Sequence, residues 1–241
     1  MLIPLTPPPL PESWPFTVRE AGCGRNVAND IELPGFTGSW RAVTTAGLPD
    51  LSGAARLDEL FGRGGLVQAG DCILRPYRRG GLMRRFNKNT YLTPGRFKAE
   101  YDVHAALWDA GFPTVEPVGY AYRRHLWGFE GVFITKRADA LPWPKTWGTP
   151  DAIDRAGQIA VIIKSLSAWG LYAPDLNATN FLVATDGKIL ALDWDRAGWT
   201  RRHGLVKSYW ARLERSMYKL NAPTALIDSL WDAIIMFPNQ N

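Results

Sequence analysis

Asp175, Asn180 and Asp193 lie within one stretch, LYAPDLNATNFLVATDGKILALDWD (171–195), and their types suit one kind of chemistry. Carboxylate and carboxamide oxygens are the donors that Mg²⁺ accepts, and a further carboxylate can orient a hydroxyl nucleophile. Whether they converge depends on the turn between them. Asp186–Gly187, flanked by alternating apolar residues, is a two-residue hairpin signal. With those two residues as the loop, Thr185 pairs with Lys188 and the ladder sets Asn180 opposite Asp193. Ile189, Ala191 and Asp193 then share one face, and Leu190, Leu192 and Trp194 the other. Asp175, in a short loop ahead of Asn180, folds back over the hairpin's open end. Two carboxylates and a carboxamide therefore converge.

Isolated Asp and Asn residues are ordinary loop formers. The order D-x₄-N, strand, DG turn, strand, D-x-D is more specific, and has the layout of a protein-kinase-like catalytic loop followed by a metal-binding Asp. Upstream, FGRGGLVQAGDCILRPYRRGGL places Gly62, Gly64 and Gly65 just before two short strands. Such a glycine-rich turn either brings backbone N–H groups to phosphates or is merely a turn. Arg75 ends the second strand. Arg78, Arg79, Arg84, Arg85 and Lys88 follow, a basic loop that reads as a solvated face or as a flap for an anionic substrate.

Elements must hold these groups. Thr93–Pro94 starts a helix and Gly111 stops it. Glu100 falls in that helix's apolar stripe with Phe97, His104 and Leu107, and a buried acid needs a cationic partner, for which Arg75 is the candidate. His104 reads as a packing or hydrogen-bonding residue. Residues 52–60 predict a short helix. PTVEPVGYAYRR and GFEGVFITKRA complete an antiparallel sheet, and ADALPWPKTWG reads as a hinge. A helix from Thr149–Pro150–Asp151 to about Trp169 presents Ile153, Ala156, Ile159, Ala160, Ile162, Ile163 and Leu166. Two further helices are expected near 204–220 and 223–236. The organisation is an arm of uncertain structure (1–50), a small sheet-rich lobe (51–140) and a helical lobe (141–241): an α+β, bilobal fold.

The chain of 241 residues is 46% apolar and 21% charged, enough for a real core, and its formal charge of +5 favours anionic partners. Cys23 and Cys72 make no metal spacing and no disulfide framework, so a reducing compartment is the expectation. No apolar run reaches the length of a membrane span, and the proline-rich start predicts no signal helix. Eleven tryptophans, several beside basic residues or proline, suit a membrane-surface or saccharide site, or extra core packing.

LRPYRRGGL, RFKAEYDVHAALWDAGFPTVEPV, LYAPDLNATNFLV and ILALDWDRA together resemble the lipopolysaccharide core kinase family, of which the Kdo (3-deoxy-D-manno-octulosonic acid) kinases are members, over roughly residues 61–220. The resemblance implies a protein-kinase-like fold and transfer of phosphate from ATP, with Mg²⁺, to a hydroxyl of Kdo on a lipid A precursor. It also implies work at the cytoplasmic face of a Gram-negative inner membrane, peripheral on its anionic surface. By that resemblance Gly62, Gly64 and Gly65 cover the phosphates and Arg75 stands in for the phosphate-contacting lysine with Glu100 behind it. Asp175 is the catalytic base, Asn180 and Asp193 hold the metal, and the basic loop with Arg78, Arg79, Arg84 and Arg85 meets the anionic acceptor. Asp195 keeps the family's second aspartate. The family usually has Tyr-His-Ala-Asp where this chain has Tyr172-Ala173-Pro174-Asp175; the resemblance makes the absent histidine a scaffold group rather than the base. Two other readings stay open: a kinase of this fold acting on another small hydroxyl substrate, and a weak kinase-like binding module. A nucleic-acid partner is not expected, because it needs a continuous basic face with stacking aromatics.

Overall fold

Alternating apolar residues and tight glycine turns build most of the first half of the chain into one sheet. The computed structural model describes residues 7–19, 26–57, 65–78 and 90–236. Two strands, β1 (Asn26–Glu32) and β2 (Ser39–Thr44), form inside the segment read from sequence as an arm. The helix expected over 52–60 does not form where the chain is described, because Ala55–Leu57 is an edge strand, β3. Gly53 in a left-handed conformation (φ 67) interrupts the start of that helix, and so short a segment cannot sustain one alone. β4 (Leu66–Ala69) and β5 (Cys72–Pro76) pair across Gly70–Asp71. The Cys72 thiol is buried and pushed up to about 12 by desolvation, then by Asp71, so it stays protonated.

Helix α1 (Gly95–Asp109) precedes a long hairpin of β6 (Pro117–His125) and β7 (Gly128–Lys136). The sheet order is β1-β2-β6-β7-β5-β4-β3, all neighbours antiparallel. Its two faces bury separate cores. Leu33, Trp40, Val67, Leu74, Val132 and Ile134 pack on one, with Phe36 and Leu51 against them. Tyr77, Phe97, Tyr101, Tyr120 and Phe133 pack on the other, which carries α1. Arg19–Asp109 and Val115–Arg137 make up this unit.

The second unit comprises Met1–Val18, Ala110–Thr114 and Ala138–Asn241. The chain enters it at the start of the proline-rich stretch, through β8 (Ala140–Pro142) and a 3₁₀ turn (Trp143–Thr146) whose Pro142, Trp143 and Thr146 are buried. Helix α2 (Ala152–Ala168) buries Ala156, Ile159, Ala160, Ile162, Ile163 and Leu166, while Ile153 faces solvent. Then come β9 (Leu171–Tyr172), a 3₁₀ turn (Ala178–Asn180), β10 (Phe181–Ala184), β11 (Ile189–Ala191) and β12 (Gly198–Trp199). Helices α3 (Leu205–Lys219) and α4 (Thr224–Ile235) follow, close to their expected bounds. The fold is α+β, one unit dominated by a sheet and the other by helices. No helix among the described residues is long and apolar enough to cross a membrane.

Candidate active site

The hairpin that carries Asn180 and Asp193 differs from expectation by one residue. Phe181 pairs with Ala191 and Val183 with Ile189, and the Ala184 N–H donates to the Lys188 carbonyl at 2.9 Å. The loop is therefore Thr185–Asp186–Gly187. Gly187 N–H donates to the Ala184 carbonyl (2.9 Å), and only Gly187 takes a left-handed conformation (φ 81). This is the three-residue hairpin ending in a glycine bulge, which tolerates Asp-Gly as well as the two-residue turn does. Packing decides between them: the observed register sets buried Phe181 and Val183 beside buried Ala191 and Ile189. Asn180 consequently lies opposite Leu192, whose N–H donates to the Asn180 carbonyl (2.8 Å), and Asp193 follows as the next residue with φ 63.

Side chains fix the loop ahead of it. The Asp175 carbonyl accepts from Asn177 Nδ2 (2.9 Å) and from Asn180 Nδ2 (3.0 Å). Asn177 Oδ1 accepts from the Thr179 N–H (2.9 Å), capping the 3₁₀ turn. Helix α3 braces the loop with one stripe of residues. The Ala173 N–H donates to the Tyr209 hydroxyl (3.0 Å), that hydroxyl donates to the Leu171 carbonyl (2.5 Å), and the Ala178 N–H donates to Ser216 Oγ (2.9 Å). Burial pushes the Tyr209 phenol well above its ordinary value, so it remains a neutral hydrogen-bonding group. Tyr209 thus anchors the backbone at Ala173, the position where the family pattern has histidine.

The Asp175 carboxylate is held by two arginines absent from the sequence expectation. Arg196 donates from Nη2 to Oδ1 and Oδ2 (2.7 Å each) and from Nε to Oδ2 (3.0 Å); Arg212 donates from Nη2 to Oδ1 (2.9 Å). Arg196 follows Asp195 directly, in a turn that Asp193 and Arg196 bracket with positive φ (63 and 60). Non-glycine residues in that region cost energy, and such strain concentrates where the surroundings enforce a functional geometry. Buried Trp194 anchors the turn, its Nε1–H donating to Thr114 Oγ1 (3.2 Å), which donates in turn to the Ala191 carbonyl (2.7 Å). Arg196 was readable as the residue after D-x-D. Nothing local in the sequence marks Arg212.

In the sheet unit, Arg75 and Glu100 form the expected ion pair, the Glu100 side chain 2% exposed and that of Arg75 32%. The buried carboxylate has the cationic partner it needs, and the guanidinium also lies over the Tyr77 and Phe133 rings. His104 stacks on Phe133 and donates from Nε2 to the Val115 carbonyl at 2.8 Å. Desolvation, ahead of the opposing carbonyl bond and the Arg75 charge, pushes its pKa down to about 3, so it is a neutral scaffold group. Gly65 (φ 101) and Arg78 line a cavity of about 280 Å³ with Trp40, Arg56, Arg123 and Glu130. A Cβ on Gly65 would collide with the Arg78 guanidinium. That cavity lies against the Trp40–Val132 face, whereas Arg75 points to α1, so the structure does not bring these two predicted groups together. Gly62, Gly64, Arg79, Arg84 and Arg85 lie outside the described residues.

Among the described residues there is no cluster of three or more His, Cys, Asp or Glu side chains for a metal. The donors at the hairpin's end are one carboxamide and one carboxylate. That set fits Mg²⁺, which commonly takes one or two protein oxygens and completes its shell with water and phosphate. Asn180 Nδ2 donates to the Asp175 carbonyl, and Oδ1, which accepts from Asn177 Nδ2 at 3.3 Å, is the oxygen that would face a metal.

Known proteins share sequence with this chain. A 3-deoxy-D-manno-octulosonic acid kinase of Xanthomonas campestris pv. campestris is 30% identical over 180 residues, 66% of this chain and 68% of that protein. A protein of the same name from Xylella fastidiosa is 29% identical over 163 residues, 63% of either chain, so the match spans less than two thirds of that relative. Among solved structures, the bifunctional kinase-methyltransferase WbdD aligns with 73% of this chain and 43% of its own, at 13% identity and a TM-score of 0.44. A divergent Toxoplasma kinase lacking the glycine-rich loop aligns with 52% of this chain and 49% of its own, at 21% identity and a TM-score of 0.36. The profile of the lipopolysaccharide kinase (Kdo/WaaP) family matches residues 53–233, which include Arg75, Glu100, Asp175, Asn180 and Asp193, and the chain belongs to that family.

Proposed function

We propose that this chain transfers the γ-phosphoryl group of ATP to a hydroxyl of Kdo on a lipid A precursor, as a carbohydrate kinase of lipopolysaccharide core assembly. The observation that carries the reading is the DLNATN loop. Asn177 and Asn180 both clamp the Asp175 carbonyl, which fixes the loop backbone there, while Arg196 and Arg212 hold its carboxylate. The names of the Xanthomonas and Xylella relatives support the sugar acid as acceptor.

In this reading Asp175 orients the acceptor hydroxyl and takes its proton late in the transfer. Asn180 and Asp193 hold Mg²⁺, which when bound supplies positive charge for the phosphate oxygens. Arg75, set by Glu100, is the phosphate-contacting cation of this reading, and Gly65, on the cavity side of the sheet away from Arg75, is left out of it. The chemistry is positioning and electrostatics, so no nucleophilic Ser or Cys is required. Arg78 and the basic loop that follows meet the anionic headgroup, peripheral to the cytoplasmic face of the inner membrane.

The test is transfer of labelled phosphate from Mg-ATP to a panel of acceptors: a Kdo-bearing lipid A precursor, lipids with other core sugars, and a non-sugar alcohol. Labelling of the Kdo lipid is the expected result. Labelling of only another acceptor would overturn the substrate and keep the kinase. No labelling and no ATP binding by folded protein would overturn both.

A further inference from the structure

A pocket adjoins Asp175. Tyr172 and Pro174 on one side, and Ser208, Tyr209, Arg212 and Arg215 of α3 on the other, line a pocket of about 170 Å³. Ser208, Arg212 and Arg215 fall on one stripe of the helix, spaced four and three residues apart. No acidic side chain lines this pocket. Arg212 is neutralised only through Asp175 Oδ1, and Arg215 makes no ion pair among the described residues. Two guanidiniums and a hydroxyl thus face a space too small for a nucleotide but wide enough for one acid group on a small carbon frame.

We infer that this pocket receives the acceptor's carboxylate, with Arg215 and Arg212 as its ligands and Ser208 as a further donor. The inference rests on the proposed sugar-acid acceptor and deepens it. A planar carboxylate matches the fork of a guanidinium. Arg212 is shared: it holds Asp175 when the pocket is empty and turns to the incoming carboxylate when it is filled. Asp175 keeps its three contacts from Arg196, while the place that Arg212 occupied on Oδ1 opens to the acceptor hydroxyl. An acceptor without the acid would leave Arg212 where it stands. The pocket is therefore a specificity device coupled to the base.

The experiment is calorimetric titration of the full chain with free 3-deoxy-D-manno-octulosonic acid and with its methyl ester. The acid should bind about ten- to a hundredfold more tightly than the ester, the range for charge-assisted bonds to a carboxylate. Arg215→Gln and Arg212→Gln should each reduce the acid to about the ester's affinity, with near-ultraviolet circular dichroism showing the fold intact. Lys188→Gln, the same charge change at an exposed ion pair in the hairpin turn, should leave both affinities unchanged. Asp175→Asn should tighten acid binding several-fold, because it removes the carboxylate that competes for Arg212. Equal affinities for acid and ester, no binding of the acid, or no loss in Arg215→Gln would overturn the pocket. Unchanged or weaker acid binding in Asp175→Asn would overturn the sharing of Arg212. Acid-selective binding without any phosphate transfer would remove the kinase reading and leave the pocket standing. Transfer without acid selectivity would do the reverse.

Discussion

Single side chains show which parts of the site belong to local sequence and which to the fold. Glu100 was legible because an acid in an apolar stripe is costly alone, and its partner Arg75 is where that argument placed it. Replacing Glu100 with Gln removes the charge that sets Arg75. The KM for ATP should rise on the order of tenfold, the loss expected for a charged hydrogen bond, while far-ultraviolet circular dichroism stays unchanged. Unaltered ATP kinetics would separate the pair from nucleotide use. Arg212 and Tyr209 were not legible. The residues of α3 that mark a helix in the sequence are Leu205, Leu213 and Met217, buried in the core. Tyr209 is buried on that same face and reads as one more core residue, and Arg212 reads as ordinary polar surface, until the fold brings them to Ala173 and Asp175. Tyr209→Phe keeps the ring but leaves the Ala173 N–H and the Leu171 carbonyl without their partner. Denaturant titration should show a loss of about 1–3 kcal/mol, and turnover should fall more than ATP affinity.

At the scale of elements, the helices α1 to α4 were readable from caps and periodicity, and β4 to β7 from alternation. The errors have physical sources. Asp-Gly serves both the two-residue hairpin and the three-residue hairpin with a glycine bulge, so the turn alone could not set the register; burial of Phe181 and Val183 did. β1 and β2 were missed because their residues are mostly exposed on β1, and the pairing that orders them comes from β6, far along the chain. Helix α1 carries a pH signature. The folded chain holds His104 neutral down to about 3, whereas the unfolded chain protonates it near 6.5. Below that upper value the unfolded state binds more protons, so stability falls as pH drops, by up to ~1.4 kcal/mol per unit from this group. His104→Gln retains a donor for the Val115 carbonyl and should flatten that slope just below the upper value. Urea titrations across this range would show it, and an unchanged slope would refute the assignment.

For the molecule as a whole, the net charge of +5 and the run of arginines at 78, 79, 84 and 85 motivate the proposal of an anionic surface as the place of work. Co-sedimentation with vesicles containing anionic lipid should exceed that with neutral vesicles and fall as salt rises, whereas equal and salt-insensitive binding would contradict a headgroup role. The two units hold different parts of the proposed chemistry, Arg75 with Glu100 in one and Asp175, Asn180 and Asp193 in the other. The proposed function turns on Asp175 acting at the acceptor hydroxyl. The most direct measurement is a single-turnover transfer from Mg-ATP to the Kdo-bearing lipid A precursor, wild type beside Asp175→Asn, with ATP affinity determined on the same samples. That role predicts that the variant loses on the order of 10²–10⁴ in the transfer rate, because the proton acceptor is gone, while its ATP affinity stays within about twofold. A variant that transfers phosphate at the wild-type rate, or that loses ATP binding and transfer in equal measure, would contradict it.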